Sequence, residues 1–180
     1  GIFSTNLAGQ DYSFDEPETI LIAKSIATNI LPSPWDGKNL ISINNGLDYS
    51  VIIGKYFWTW HPWLQHYLTY FSQAFLPSNM MRFPFALFGV ATVIIVFLTA
   101  KEIFQSKIIS FFLSIQLIFL LPFFLYIRQV RYYSLATFFS TLLFFLMVKQ
   151  LKNKWSRAFT FIFAVSSLLL FFSNYIVWLS

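Results

Sequence analysis

Asp15 and Glu16 stand side by side, followed by Pro17 and Glu18. A carboxylate held at a fixed spot can act as a general base toward a hydroxyl or an amine. Asp15 is the candidate for that role, with Glu16 as its catalytic neighbour. The same residues also suit a plainer task. Asp15 as N-cap and Glu18 three residues on form a capping box, and Glu16 complements the helix dipole. The two tasks are compatible, because a capped helix start is a rigid place to hold a base. His61 and His66 are five apart with no acid beside them, a weak spacing for a metal. A divalent metal is therefore not indicated, and no cofactor is implied. His61, within Trp60-His61-Pro62-Trp63, and Arg82, within Arg82-Phe83-Pro84, are candidates for substrate contact. The plain role of Arg82 is an anchor at the end of an apolar run. Arg128, Arg131 and Tyr132 share one face if they are helical, being three and four apart. Two guanidiniums with a phenol suit a phosphate; the bland alternative is snorkelling toward lipid headgroups. With no cysteine in the chain, disulfides, a thiol nucleophile and a cysteine zinc site are excluded.

The elements that must position these residues follow from periodicity. Ile20, Ala23, Ala27 and Ile30 with Leu31 predict a helix from the Asp15 cap to Leu31, stopped by Pro32. The rest of residues 1–55 is punctuated by Gly, Pro and Asn and reads as an ordered loop region. In residues 63–75, Gln65, His66, Thr69, Ser72 and Gln73 share an arc of about 120° and apolar side chains fill the other side. That pattern predicts a helix in the membrane interface, with Trp58, Trp60 and Trp63 at headgroup depth.

Only 11% of the residues are charged and 57% are hydrophobic, with 24 Phe, against about 25% charged in a soluble domain. Uncharged runs cover residues 83–100, 108–127, 132–148 and 158–180, each within the range of a membrane span, about 17–25 residues. The sequence thus predicts an all-α, polytopic membrane helix bundle. Its first part, 1–82, is an extracytoplasmic loop with amphipathic juxtamembrane helices. Its second part, 83–180, holds four transmembrane helices at about 83–104, 108–127, 131–150 and 157–180. The chain lacks an initial Met and ends inside an uncharged run, so it reads as an internal piece of a longer protein.

Charge sets the orientation. Residues 1–82 carry six acids against four bases, net −2; the remainder carries one acid against eight bases, net +7. Lys101 and Lys107 flank one connection and Lys149, Lys152, Lys154 and Arg157 another. By alternation these lie on one side, which the positive-inside rule makes cytoplasmic. The basic balance therefore reflects topology and not nucleic acid. Arg128 and Arg131 fall on the opposite, outer side, against the rule, and so call for a function.

The order of these features resembles the C-type (GT-C) glycosyltransferase superfamily, in its branch of dolichyl-phosphate-mannose protein mannosyltransferases and aminoarabinose transferases. The resemblance rests on Asp15-Glu16, on His61-Pro62-Trp63-Leu64 with Tyr67-Leu68, on Arg82-Phe83-Pro84-Phe85-Ala86-Leu87-Phe88-Gly89, and on Arg128-Gln129-Val130-Arg131-Tyr132-Tyr133. Trp63 stands where the family usually has a second proline. The resemblance implies a polyprenyl-phosphate-linked sugar donor, a protein, lipid or cell-wall glycan acceptor, and metal-independent inverting transfer. The site would face outward from the plasma membrane of a bacterium or archaeon. It implies Asp15 as the catalytic acid position with Glu16 beside it, and Arg128, Arg131 and Tyr132 near the donor phosphate. A transporter or flippase of a lipid-linked substrate is the alternative, disfavoured by uncharged span interiors. A structural assembly subunit is the third reading.

Overall fold

The computed structural model describes residues 16–42, 45–152 and 156–179. Most of these are helical. They form α1 (Glu16–Asn29), a hairpin of β1 (Tyr49–Ile52) and β2 (Lys55–Trp58), and α2 (Leu64–Phe75). A 3₁₀ turn (Ser78–Met80) leads to α3 (Phe83–Phe104), α4 (Lys107–Phe119), α5 (Leu121–Tyr126), α6 (Tyr133–Lys152), α7 (Arg157–Ser173) and α8 (Tyr175–Leu179).

Two stretches, Ser78–Phe104 and Tyr133–Leu151, are long and apolar enough to cross a membrane. The other two apolar runs are interrupted. Leu120 is extended, its N–H closing on the Leu117 carbonyl at 3.2 Å, and α5 restarts with Pro122 in its first turn. Proline has no N–H to give to the preceding turn, so the break falls where it costs least. At Asn174 the backbone is again extended, and the side-chain oxygen accepts from the N–H groups of Ile176 and Val177 at 3.0 and 3.2 Å. That is an N-cap starting α8 inside an uncharged run. Hydropathy alone carries neither break.

α3 packs on α4 and α6, and α6 packs on α7. Phe85, Val130, Leu135, Ala136, Phe139 and Leu170 form the buried core, joined by Ile20 of α1 and Leu64 and Leu68 of α2. Gly89 permits one close approach: a Cβ there would sit 2.6 Å from Ile127 Cδ1. Several hydroxyls in the apolar helices turn back on their own backbone. Those of Thr92, Thr99, Thr137, Thr141 and Ser173 donate to the carbonyl four residues back at 2.6–2.8 Å, which suits a low-dielectric surrounding.

Four local expectations change. α1 ends at Asn29, and Ile30 turns left-handed at φ 64° with its N–H on the Ile26 carbonyl, two residues before the expected stop. Residues 49–58, read as loop and interface, form the hairpin, closed by Ile53 and Gly54 at φ 51° and 71°. Two consecutive positive φ values match the right-handed twist of the strands. Trp58 is completely buried inside the protein, so it does not offer its ring to lipid, and its carbonyl accepts from Trp63 Nε1 at 2.7 Å. Finally, residues 127–132 are a turn between α5 and α6 rather than helix, so the spacing of Arg128, Arg131 and Tyr132 does not set them on one helical face.

α2 has the expected arc but a notable orientation. Its polar side chains Gln65, His66, Thr69 and Ser72 are buried, and the helix packs on α1. Phe71 and Phe75 are 54% and 79% exposed.

Candidate functional site

The start of α1, the loop before α2, the start of α3 and the turn before α6 converge. Glu16 is completely buried and its carboxylate is held from three directions. Arg82 grips it with two nitrogens, Nε on Oε1 at 3.0 Å and Nη2 on Oε2 at 2.6 Å; the Val130 N–H donates to Oε1 at 2.7 Å. This is a two-pronged, charge-assisted pair with a third donor added. It ties α1 to the first turn of α3 and to the α5–α6 turn. A carboxylate so enclosed cannot meet a substrate without displacing Arg82, itself 5% exposed. Glu16 and Arg82 thus hold the frame around the site.

Beside that frame, Arg131 gathers a second set. Its Nη1 lies 3.4 Å from both Glu18 Oε2 and Thr19 Oγ1, and its Nη2 lies 3.2 Å from His61 Nε2. The guanidinium carbon sits 5.7 Å from the Tyr132 ring centroid, and the His61 and Tyr132 rings are 5.5 Å apart. In the sequence Glu18 stands out only as part of a capping box. Its pairing with a residue 113 positions away carries no local sequence signal. The Arg128 guanidinium lies over Phe124, 5.0 Å from the ring centroid. Asp15, the expected base, lies outside the described residues.

Two clefts flank the His61–Tyr132 contact. One, of about 250 Å³, is bounded by His61, Trp63, Phe172 and Tyr175. The other, of about 470 Å³, is bounded by Tyr132, Tyr133, Thr137, Ser140 and Asn174. Both use residues at the α7–α8 break, so the Asn174 cap shapes the walls on both sides. His66 lies apart from the clefts, fully buried and edge-on to Trp58 with centroids 6.4 Å apart. Burial pushes its pKa from 6.5 down to about 3; the nearby Thr19 carbonyl favours the charged ring but does not outweigh desolvation. His66 is therefore neutral and structural. Among the described residues no three His, Asp or Glu side chains gather as a metal site.

No protein-family model matches this chain, and no curated protein or solved structure matches it either.

Proposed function

We propose that this chain is part of a polytopic membrane glycosyltransferase. In this reading it moves a sugar from a polyprenyl-phosphate donor to a protein, lipid or glycan acceptor at the outer membrane face. One observation carries the reading. The acidic motif at 16–18, His61, Arg82 and the 128–132 motif, up to 114 positions apart, meet in two adjoining, largely buried polar sets at an end of the apolar helices. A bundle needing only stability has little use for such a network, because buried ion pairs are weak stabilisers beside apolar packing.

The chemistry needs a cation where a lipid phosphate leaves, since charge grows there as the glycosidic bond breaks. Arg131 is the group for that task. Its contacts to Glu18 and Thr19 are long, at 3.4 Å, beyond the usual span of a strong charge-assisted bond, about 2.7–2.9 Å. An incoming phosphate would replace them with shorter ones, while Glu18 keeps the guanidinium aimed when the site is empty. Tyr132 and His61 border the clefts where donor and acceptor would lie. The phosphate departs already charged, so no acid has to protonate it, and one base suffices; Asp15 takes that role.

The test is donor turnover by the full-length protein in proteoliposomes. Asp15→Asn and Arg131→Ala abolish transfer with expression intact, and Arg131→Lys restores part of it. Near-normal turnover in Asp15→Asn or Arg131→Ala would sink the assignment. The helix breaks at Leu120 and Asn174 favour a second reading, since transporters use interrupted helices at their substrate sites. Flux of a lipid-linked substrate across the bilayer without sugar transfer would select it.

A further inference from the structure

One cavity lies well away from the Arg131 network. It holds about 320 Å³ between the C-terminal end of α1, the turn that follows it, and β2. α1 is 14 residues long, so about 20 Å of helix separates this cavity from Glu16. Its lining mixes ring faces with polar groups: Trp35 and Tyr56 on one side, Asn29, Ser33 and Lys55 around it.

Trp35 and Tyr56 stack with centroids 6.0 Å apart and 25° between planes, and Tyr49 meets Tyr56 edge-on at 5.6 Å. The backbone fixes this row. Tyr56 sits in the hairpin opposite Val51, and Trp35 is bridged to Leu40. The Trp35 N–H donates to Ser33 Oγ at 3.2 Å, and the Ser33 N–H donates to the Ser25 hydroxyl at 2.8 Å. Asn29 Nδ2 reaches the Trp35 carbonyl at a long 3.5 Å, and Asn29 lines the cavity. Two left-handed residues, Ile30 and Gly54 at φ 64° and 71°, line the same cavity. For a β-branched, 78% exposed isoleucine that conformation costs energy, and such strain concentrates where a ligand is held.

We propose that this cavity binds a pyranose ring, laid against Trp35, the exposed end of the Trp35–Tyr56–Tyr49 row, with its hydroxyls toward Asn29 and Lys55. The C–H face of a sugar carries slight positive charge and meets the negative face of an aromatic ring. Its edge hydroxyls both donate and accept, matching an amide and an ammonium. The volume lies at the small end of ligand pockets, about 300–1,000 Å³, as one sugar ring requires. A simple anion would use Lys55 and leave the aromatic row without purpose. This inference rests on the transferase reading only for where the sugar comes from: a unit of an acceptor glycan, held one helix length from the transfer site.

The experiment uses the full chain in a detergent without a sugar headgroup. Methyl glycosides of mannose, glucose, galactose and arabinose are titrated through the millimolar range, followed by tryptophan fluorescence and saturation-transfer NMR. At least one glycoside binds saturably. Trp35→Ala weakens it about tenfold or more, the factor equal to about 1.4 kcal/mol, and Trp35→Phe retains most of it. Asn29→Ala, at an exposed position and so without risk to the fold, weakens it as well. Absence of saturable binding by all four glycosides overturns the proposal, as does unchanged binding in both alanine variants. Binding that persists in a full-length protein unable to transfer sugar removes the transferase reading and leaves this site standing. Transfer without glycoside binding does the reverse.

Discussion

Replacing Arg82 with Met tests whether Glu16 is a frame residue or an open carboxylate. The pair is buried, at 5% and 0% exposure, and Arg82 gives two donors to Glu16 beside the Val130 N–H. Methionine fills much of the arginine stem's volume but leaves a buried, under-compensated carboxylate. Removing one partner of such a pair costs about 3–5 kcal/mol. For a chain of this length each kcal/mol moves Tm by about 2–4 °C, so the fall is about 6–20 °C. Glu16→Gln alone keeps an acceptor for the Val130 N–H but turns an amide N–H₂ toward Arg82 Nη2, and it also destabilises. The double variant Glu16→Gln/Arg82→Met removes both charges while an amide oxygen still receives the Val130 N–H. It recovers more than half of the loss, because a buried pair replaced as a unit is close to neutral. Thermal unfolding in detergent, followed by helical circular dichroism, reads all four proteins. Strictly additive losses, or a Tm fall below about 3 °C for Arg82→Met, would refute the frame role. Unchanged Tm with lost transfer in Glu16→Gln would return Glu16 to the catalytic role.

Gly89→Ala drives a methyl to 2.6 Å from Ile127 Cδ1 and costs about 1–3 kcal/mol of stability. Adding Ile127→Ala removes two of the three nearest atoms and restores part of it, measured as a double-mutant cycle in Tm. Ile53→Asn eases the first position of the hairpin turn, at φ 51°, and raises hairpin stability by about 1 kcal/mol, read by hydrogen exchange at residues 49–58. His66 gives a pH dependence. Its folded pKa, about 3, lies below its unfolded 6.5, so between those values the unfolded state binds the proton and the folded state does not. Stability is complete above pH 6.5 and falls with pH by about 1.4 kcal/mol per unit below it. His66→Gln has a shallower slope over that window; equal slopes would show that His66 is not buried neutral.

The helices were legible where a period or a long apolar run dictates them: α2 lies within a residue of its expected start, and α3 fills its predicted span. The breaks at Leu120 and Asn174 were not, because Pro122 near a run's end and one Asn in an apolar run change hydropathy little. The hairpin was missed because Ile53-Gly54 lacks the Asn-Gly or Asp-Gly that marks such a turn. Isoleucine there reads as strand, yet it takes a left-handed backbone at φ 51° in the turn. At the site, the motifs named Glu16, His61, Arg82, Arg131 and Tyr132, and the structure joins them in adjoining contacts. Their pairing was hidden. Spacing puts Arg128 and Arg131 on one helical face, whereas residues 127–132 form a turn, and Arg131 meets Glu18 across 113 positions.

α2 joins the fold to its surroundings. In water an amphipathic helix buries its apolar stripe; here Gln65, His66, Thr69 and Ser72 face inward while Phe71 and Phe75 face out. The inward hydroxyls are satisfied by their own helix, Thr69 on the Gln65 carbonyl and Ser72 on that of Leu68, both at 2.7 Å. Gln73 reaches across to the Ile20 carbonyl at 3.1 Å, and the Tyr67 hydroxyl to that of Ile30. Polar groups thus glue α2 to α1, and α1 carries Glu16 and Glu18 to the two arginines. Such an inverted helix is stable where its outer side meets apolar solvent. Phe71, Phe75, Met80, Phe83, Leu87 and Ile94 are all exposed apolar side chains, following one another in sequence from α2 into α3. Because α2 is tied to α1, and α1 carries Glu18, the placement of α2 also sets that of the Arg131 network.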